Sequence, residues 1–155
     1  MKYLLFDFSR TLLFPKDRNY VGSLNELHRS LKDTPNYNSL GHFDLNTEVL
    51  SFLEKNKDKG KFYILTSETI QDDPNIANKL NVFTNIFSAA KIGLIKTNPE
   101  IYKHVANIID APVNEIIFID DSQNNIDAAQ KAGLNTILYI DNQSLIDKLR
   151  SIDFG

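Results

Sequence analysis

Short, nearly continuous apolar runs recur along the chain, separated by stretches in which apolar residues return every three or four positions. Tyr3 to Phe8 is the first such run, followed by Phe62 to Leu65, Ile116 to Ile119 and Thr136 to Ile140, with a weaker one at Ile86 to Ala89. Runs of this length without polar alternation predict strands covered on both faces, as in a parallel sheet. Between them, Leu45 to Lys57 places Val49, Leu50, Phe52 and Leu53 on one helical face, with Asp44 or Asn46 to cap it and Gly60 to end it. Asn98-Pro99-Glu100 predicts a helix start, with Asn98 as cap and Pro99 at the first helical position, and its face runs through Tyr102, Val105, Ala106 and Ile109. Ser122 to Ala132, stopped by Gly133, and Gln143 to Ile152 complete the set.

Strand and helix alternate, which predicts a three-layer α/β/α sandwich around a mainly parallel, Rossmann-like sheet with right-handed crossovers. Ligands in such folds bind beyond the carboxyl ends of the strands. Polar chemistry stands at three of those ends: Asp7, then Thr66 and Ser67, then Asp120 and Asp121. Residues 14–43 break the alternation. They are polar, carry Pro15, Gly22, Pro35 and Gly41, and show only a short helical pattern in Leu24, Leu27 and Leu31, so they read as a small insertion over the site.

A chain of 155 residues with 42% hydrophobic and 24% charged content predicts one domain with one substantial core. The formal charge of −3 and the scattering of the seventeen Lys and Arg give no global attraction to nucleic acid or to an anionic membrane. The absence of cysteine excludes disulfides and thiolate metal sites, and His28, His42 and His104 lack metal-ligand spacing. The first apolar run is too short for a signal-peptide core and no later run is long enough to span a bilayer, so a cytoplasmic location is expected.

Three carboxylates at the ends of neighbouring strands repel one another unless a cation sits among them, and hard oxygen ligands suit Mg²⁺. A cation held there attracts phosphate, and an Asp can attack it to give an aspartyl-phosphate. The order of the pieces resembles the haloacid dehalogenase superfamily. Leu4 to Thr11 looks like the segment that carries the nucleophilic Asp, here Asp7, and Phe62 to Ser67 is similar to the strand whose terminal hydroxyl binds phosphate. Gly93-Leu94-Ile95-Lys96 with Pro99 to Tyr102 resembles the segment whose lysine neutralises nucleophile and phosphate. Phe118 to Ser122, with Asn125 to Ala129 and Ala132-Gly133 behind, resembles the metal-binding segment and its helix.

The resemblance implies a small or reduced-cap member, a Mg²⁺-dependent phosphatase-type hydrolase working on a phosphorylated small molecule or macromolecule. It implies Asp7, Thr66 and Lys96 as the catalytic set, Ser9 and Ser67 against substrate, and Asp7, Ser9, Asp120 and Asp121 around the metal, while the guanidinium of Arg10 either joins the substrate-binding set near the phosphate or points outward. Of the acidic pair, Asp121 is the preferred single ligand, and Ser9 would use its carbonyl. Two positions depart from the family. Ser9 stands where a second Asp normally serves as acid and base, a loss that typically removes ~10²- to 10⁴-fold in rate, and Arg10 stands where glycine is usual. The departures point to slow or substrate-assisted turnover, with a non-catalytic binding protein as the alternative. With only about thirty residues in the insertion, an open site is expected, serving a bulky substrate or closed by a second subunit in a homo-oligomer.

Overall fold

The computed structural model describes residues 2–154. In chain order its first elements are β1 (Lys2–Phe6), β2 (Leu13–Pro15), α1 (Leu24–Leu31), β3 (Phe43–Leu45), α2 (Thr47–Lys55) and β4 (Gly60–Thr66). Then come α3 (Pro74–Ala77), β5 (Asn85–Ser88), α4 (Ala89–Ile92), α5 (Glu100–Ile109), β6 (Ile116–Asp120), α6 (Gln123–Lys131), β7 (Asn135–Leu138) and α7 (Asn142–Ser151). Five strands pair in parallel in the order β5-β4-β1-β6-β7, while β2 and β3 form a separate antiparallel pair. The chain runs outward from β1 to one edge and returns to fill the other, so the strand order reverses beside β1.

Alternation along β1 divides the core. Leu4 and Phe6 pack with Phe62, Ile64, Val49, Leu53 and Leu149, which places α2 and α7 on one face. Leu5 packs with Leu65, Phe118, Ile101, Val105 and Ala129, which places α5 and α6 on the other. All three β1 side chains are fully buried, each adding roughly 1.5–3 kcal/mol of transfer free energy, so this strand has no solvent face. The result is the three-layer sandwich with a parallel sheet. Among the described residues, no helix is long and apolar enough to cross a membrane.

Several boundaries differ from the pattern in the sequence. The first strand stops at Phe6 rather than Phe8, because the chain turns at once. Phe8 stays in the core while its carbonyl accepts from the amides of Leu12 (2.8 Å) and Leu13 (3.0 Å). The helix expected from Leu45 begins at Thr47, since Leu45 is drawn into β3 opposite Leu13. Asn46, rather than Asp44, caps α2, accepting from the Val49 amide at 3.3 Å. Gly60 does not end that helix, which gives way at Asn56. Instead Gly60 opens β4 beside Lys2, where a Cβ would lie 2.5 Å from the Lys2 carbonyl oxygen. α5 starts at Glu100, one residue after the expected Pro99, with the Asn98 side chain accepting from the Glu100 amide at 3.0 Å. β7 covers Asn135–Leu138, and Ile140 lies beyond it, exposed.

Residues 14–43 are neither open nor detached from the core. β2 and β3 bracket them, Leu24 and Phe43 enter the same core cluster as Phe8, and the Ser39 hydroxyl donates to Asp73 at 2.6 Å. The segment is therefore docked against the core.

Candidate active site

Asp7 leaves β1 at the point where Phe6 lies between Ile64 of β4 and Ile119 of β6, and its amide donates to the Ile119 carbonyl at 2.8 Å. This hydrogen bond sets Asp7 beside Asp120, the last residue of β6. Oxygens of Asp7, Asp120 and Asp121 lie within 4.8 Å of one another. Lys96 reaches this group from the loop after α4. Its ammonium pairs with Asp7 Oδ1 and lies 3.2 Å from Asp120 Oδ2. Gly93, with φ of 84°, supplies the left-handed turn that ends α4 and sends the chain back toward the sheet.

The supports come from residues that the sequence pattern places in the core or leaves unassigned. The Tyr102 hydroxyl donates to the Lys96 carbonyl at 2.6 Å, fixing the backbone from which the lysine extends. Asn125 Nδ2 donates to Asp120 Oδ2 at 2.9 Å, and the Ser122 amide donates to Oδ1 at 2.9 Å. The Thr11 hydroxyl approaches Asp7 Oδ2 at 3.4 Å, and Asn46 Nδ2 holds the Thr11 carbonyl at 2.9 Å. Asp120 thus spends its oxygens on protein donors. No donor among the described residues reaches the Asp121 carboxylate.

The remaining candidates divide. Thr66, at the end of β4, is buried and its hydroxyl has no partner. Ser9 likewise has a buried, unpartnered hydroxyl. Ser67 is exposed, and its carbonyl accepts from the Ala90 amide at 3.0 Å. Arg10 adopts φ of 62°, the left-handed conformation that explains why glycine suits this turn. Its guanidinium donates to the carbonyls of Gly22 (2.7 Å) and Tyr20 (3.2 Å), so in this structure it holds the inserted segment. A 550 Å³ depression lined by Lys2, Ile117, Ile137 and Lys148 opens near the amino ends of the strands and contains none of these residues.

Charge crowding shows in the ionisation of the group. Burial, offset by Lys96 and reinforced by Asp120, raises Asp7 from 3.8 to about 6. Burial of its carboxyl end and then the charges of Asp7 and Asp120 raise Asp121 to about 7, although much of that residue meets solvent. Burial opposes the charge on Lys96, but Asp7 and Asp120 outweigh it and hold the ammonium above its ordinary range. Both acids therefore bind more protons folded than unfolded. Their contribution to metal-free stability falls as pH rises from about 4 to about 7. A divalent cation competes with those protons, so the thermal stabilisation given by excess MgCl₂ is expected to be small at pH 5 and to grow through pH 8. Equal Mg²⁺ stabilisation at both pH values in a thermal-shift series would contradict this.

A family model described as haloacid dehalogenase-like hydrolase matches residues 2–133, and the chain belongs to that family. Its curated relatives are matched only in part. It is 34% identical to rat (Rattus norvegicus) bifunctional epoxide hydrolase 2 over 70 residues, 45% of this chain and 13% of that protein. It is 35% identical to a sesquiterpene phosphatase of Aspergillus oryzae over 72 residues, 46% of this chain and 37% of that one. The fold extends further than the sequence similarity. A hydrolase from Streptococcus pneumoniae superposes with a TM-score of 0.70 at 18% identity, covering 96% of this chain and 98% of that one. A haloacid dehalogenase family enzyme from Bacteroides thetaiotaomicron, an Asp-to-Ala mutant in complex with magnesium and inorganic phosphate, gives 0.69 at 19% identity, covering 94% and 98%.

Proposed function

We propose that this chain is a Mg²⁺-dependent phosphatase-type hydrolase that works through an aspartyl-phosphate on Asp7. The observation that carries this reading is the convergence of Asp7, Asp120 and Asp121 to within 4.8 Å, with Lys96 buried against two of them. Three hard oxygen donors, two of which, Asp7 and Asp121, are held above the ordinary carboxylate range by burial and by their neighbours' charge, fit a small divalent cation. Asp7, Asp121 and the Ser9 carbonyl would hold it, with Asp120 fixing Lys96 and the loop. Mg²⁺ supplies charge neutralisation between the carboxylates and an incoming phosphate.

A phosphate ester enters with phosphorus facing Asp7. The Lys96 ammonium and the unpartnered Thr66 hydroxyl donate to its oxygens and stabilise the charge that spreads over them in transfer. Asp7 forms the new bond to phosphorus as the ester bond breaks. Because Ser9 cannot supply a proton near neutral pH, the departing alkoxide takes one from water or from the substrate itself and leaves as the alcohol. Water then attacks phosphorus, the bond to Asp7 breaks, and inorganic phosphate leaves as the carboxylate is regenerated. The slow steps of this scheme are those at position 9.

An activated aryl phosphate, which leaves without help, is expected to be turned over with Mg²⁺ and not after EDTA. Ser9→Asp is expected to raise turnover of an alkyl phosphate by about 10²-fold while changing the aryl substrate much less. An equal effect on both substrates would remove Ser9 from the leaving-group step. The second reading, a binding protein that retains the fold without chemistry, is favoured by the loss of the acid at position 9. Any Asp7-dependent turnover in a broad phosphate screen rejects it.

A further inference from the structure

We propose that Asn46 and Asn142 are positioning residues, a two-amide brace that orients Asp7 through Thr11, an inference that rests on the hydrolase reading for what Asp7 does. Asn46 is buried, between β3 and α2. Its Nδ2 donates to the Thr11 carbonyl at 2.9 Å and to Asn142 Oδ1 at 2.8 Å. Asn142 Nδ2 returns a bond to Asn46 Oδ1 at 3.0 Å, so the two side-chain amides pair reciprocally across 96 positions of the chain. Asn142 spends its second N–H on Glu48 Oε2 at 2.8 Å, and its Oδ1 also accepts from the Tyr139 hydroxyl at 2.7 Å. Every side-chain N–H of the pair is taken.

Helix capping does not account for this pair. The cap of α2 needs one acceptor, Asn46 Oδ1, which takes the Val49 amide at 3.3 Å, and Ser or Asp would serve there as well. What Asn adds is the NH₂ group. Its two N–H bonds go to other elements, one to the turn after β1 and one to the start of α7. Two amides engaged with each other and with their surroundings on both sides are held in one arrangement.

The brace reaches the acidic cluster from two directions. On one side the Asn46 amide donates to the Leu12 carbonyl at 2.7 Å, so this residue holds two successive carbonyls of the turn, those of Thr11 and Leu12. The fully buried Thr11 turns its hydroxyl to Asp7 Oδ2 at 3.4 Å, while Lys96 pairs with Oδ1. Each Asp7 oxygen has its own partner, which fixes the rotation of the carboxylate. On the other side the Tyr139 amide donates to the Asp120 carbonyl at 2.8 Å. The pair thus ties the turn beside the nucleophile to the strand end that carries Asp120. At 3.4 Å the Thr11 hydrogen bond sits at the outer limit of the interaction, so a small displacement of the turn makes or breaks it.

The test is a double-mutant cycle joining Asn142→Ala and Thr11→Val in the full chain, with Mg²⁺ and an activated aryl phosphate. The Asn142 side chain bonds to neither Thr11 nor Asp7, and Thr11→Val removes the hydroxyl while keeping the branched shape. Asn142→Ala is expected to lower kcat by about tenfold with KM within about twofold, because a reacting group misplaced by ~1 Å costs up to ~10²-fold. In the Thr11→Val background the same change should cost less than about twofold. Tyr139→Phe removes one bond of the brace and keeps the ring beside Phe14, so it should give a smaller loss that vanishes in the same background. A signature independent of turnover and of metal is the Asp7 carboxyl ¹³C resonance at pH 8. Asn142→Ala should move it in the direction that Thr11→Val does, and the double variant should move it no further. Losses in kcat that multiply, or an Asp7 resonance that Asn142→Ala leaves in place, overturn the proposal even where turnover is good. Absence of all turnover, with the resonance responding as described, removes the hydrolase reading and leaves the brace standing.

Discussion

Asp7→Asn is expected to lower turnover of an activated aryl phosphate by about 10⁴-fold or more while leaving the fold intact. The substitution keeps shape and removes the nucleophilic oxygen pair, and an amide does not form the acyl phosphate. Its effect on stability has the opposite tendency. In the absence of metal, burial and Asp120 already disfavour the ionised form of Asp7, and a neutral amide relieves that repulsion. The buried Lys96 keeps Asp120 as its counterion at 3.2 Å. Metal-free Tm should therefore hold or rise, and the Mg²⁺-induced increase should shrink because one donor is gone. Steady-state kinetics beside a thermal scan separates the two effects. Turnover within tenfold of the parent chain would end the case for Asp7 as nucleophile.

The strand ends were legible because a strand buried on both faces reads as an unbroken apolar run. A polar residue at its carboxyl end then stands out, as Asp7, Thr66 and Asp120 do. The acids were found for that reason and Lys96 only through the resemblance of its segment, and the order of segments agrees with the family match over residues 2–133. What surrounds them was not legible. Tyr102 fills a helical position facing the core, and its packing against Phe118, with ring centroids 4.9 Å apart, follows from that pattern. Nothing in the pattern says that its hydroxyl holds Lys96. Asn125 sits on the first turn of α6, where an amide is unremarkable, yet it orients Asp120.

The inserted segment hid its structure for a different reason. β2 and β3 have three residues each, too few to display a period of two, and pairing with Leu13 removed Leu45 from the helix its spacing suggested. Its polar composition gave no sign of how it is held, and contacts distant in sequence dock it: Arg10 to Gly22, Arg29 to Glu68, and Ser39 to Asp73. Such pairings depend on where the fold carries each side chain, and local periodicity holds no record of them.

Lys96→Met carries the largest expected loss of stability. Methionine fills a similar volume, and the position lies near the Phe118 ring, 5.8 Å from the Lys96 ammonium to its centroid, so the apolar part of the side chain is accommodated. The charge is not replaced. Asp7 and Asp120, both buried, and Asp121 beside them lose their cation, and breaking a buried pair in this one-sided way costs about 3–5 kcal/mol. For a chain of this size that corresponds to a fall in Tm of roughly 6–20 °C. Protons can partly take the lysine's place. Without it the folded acids hold their protons to higher pH than in the unfolded chain, so the native state binds more protons and stability drops as pH rises through about 6 to 7 and above. The deficit should accordingly be greater at pH 8 than at pH 5, and excess Mg²⁺ should recover part of it at pH 8 by supplying positive charge to the same carboxylates. Activity would not recover with the fold, because the ammonium that faces the phosphate oxygens is still missing, at an expected penalty of about 10²- to 10³-fold in kcat. Thermal scans at the two pH values, with and without MgCl₂, decide the matter: a deficit below about 2 °C, or one independent of pH, would mean that Lys96 does not neutralise this cluster.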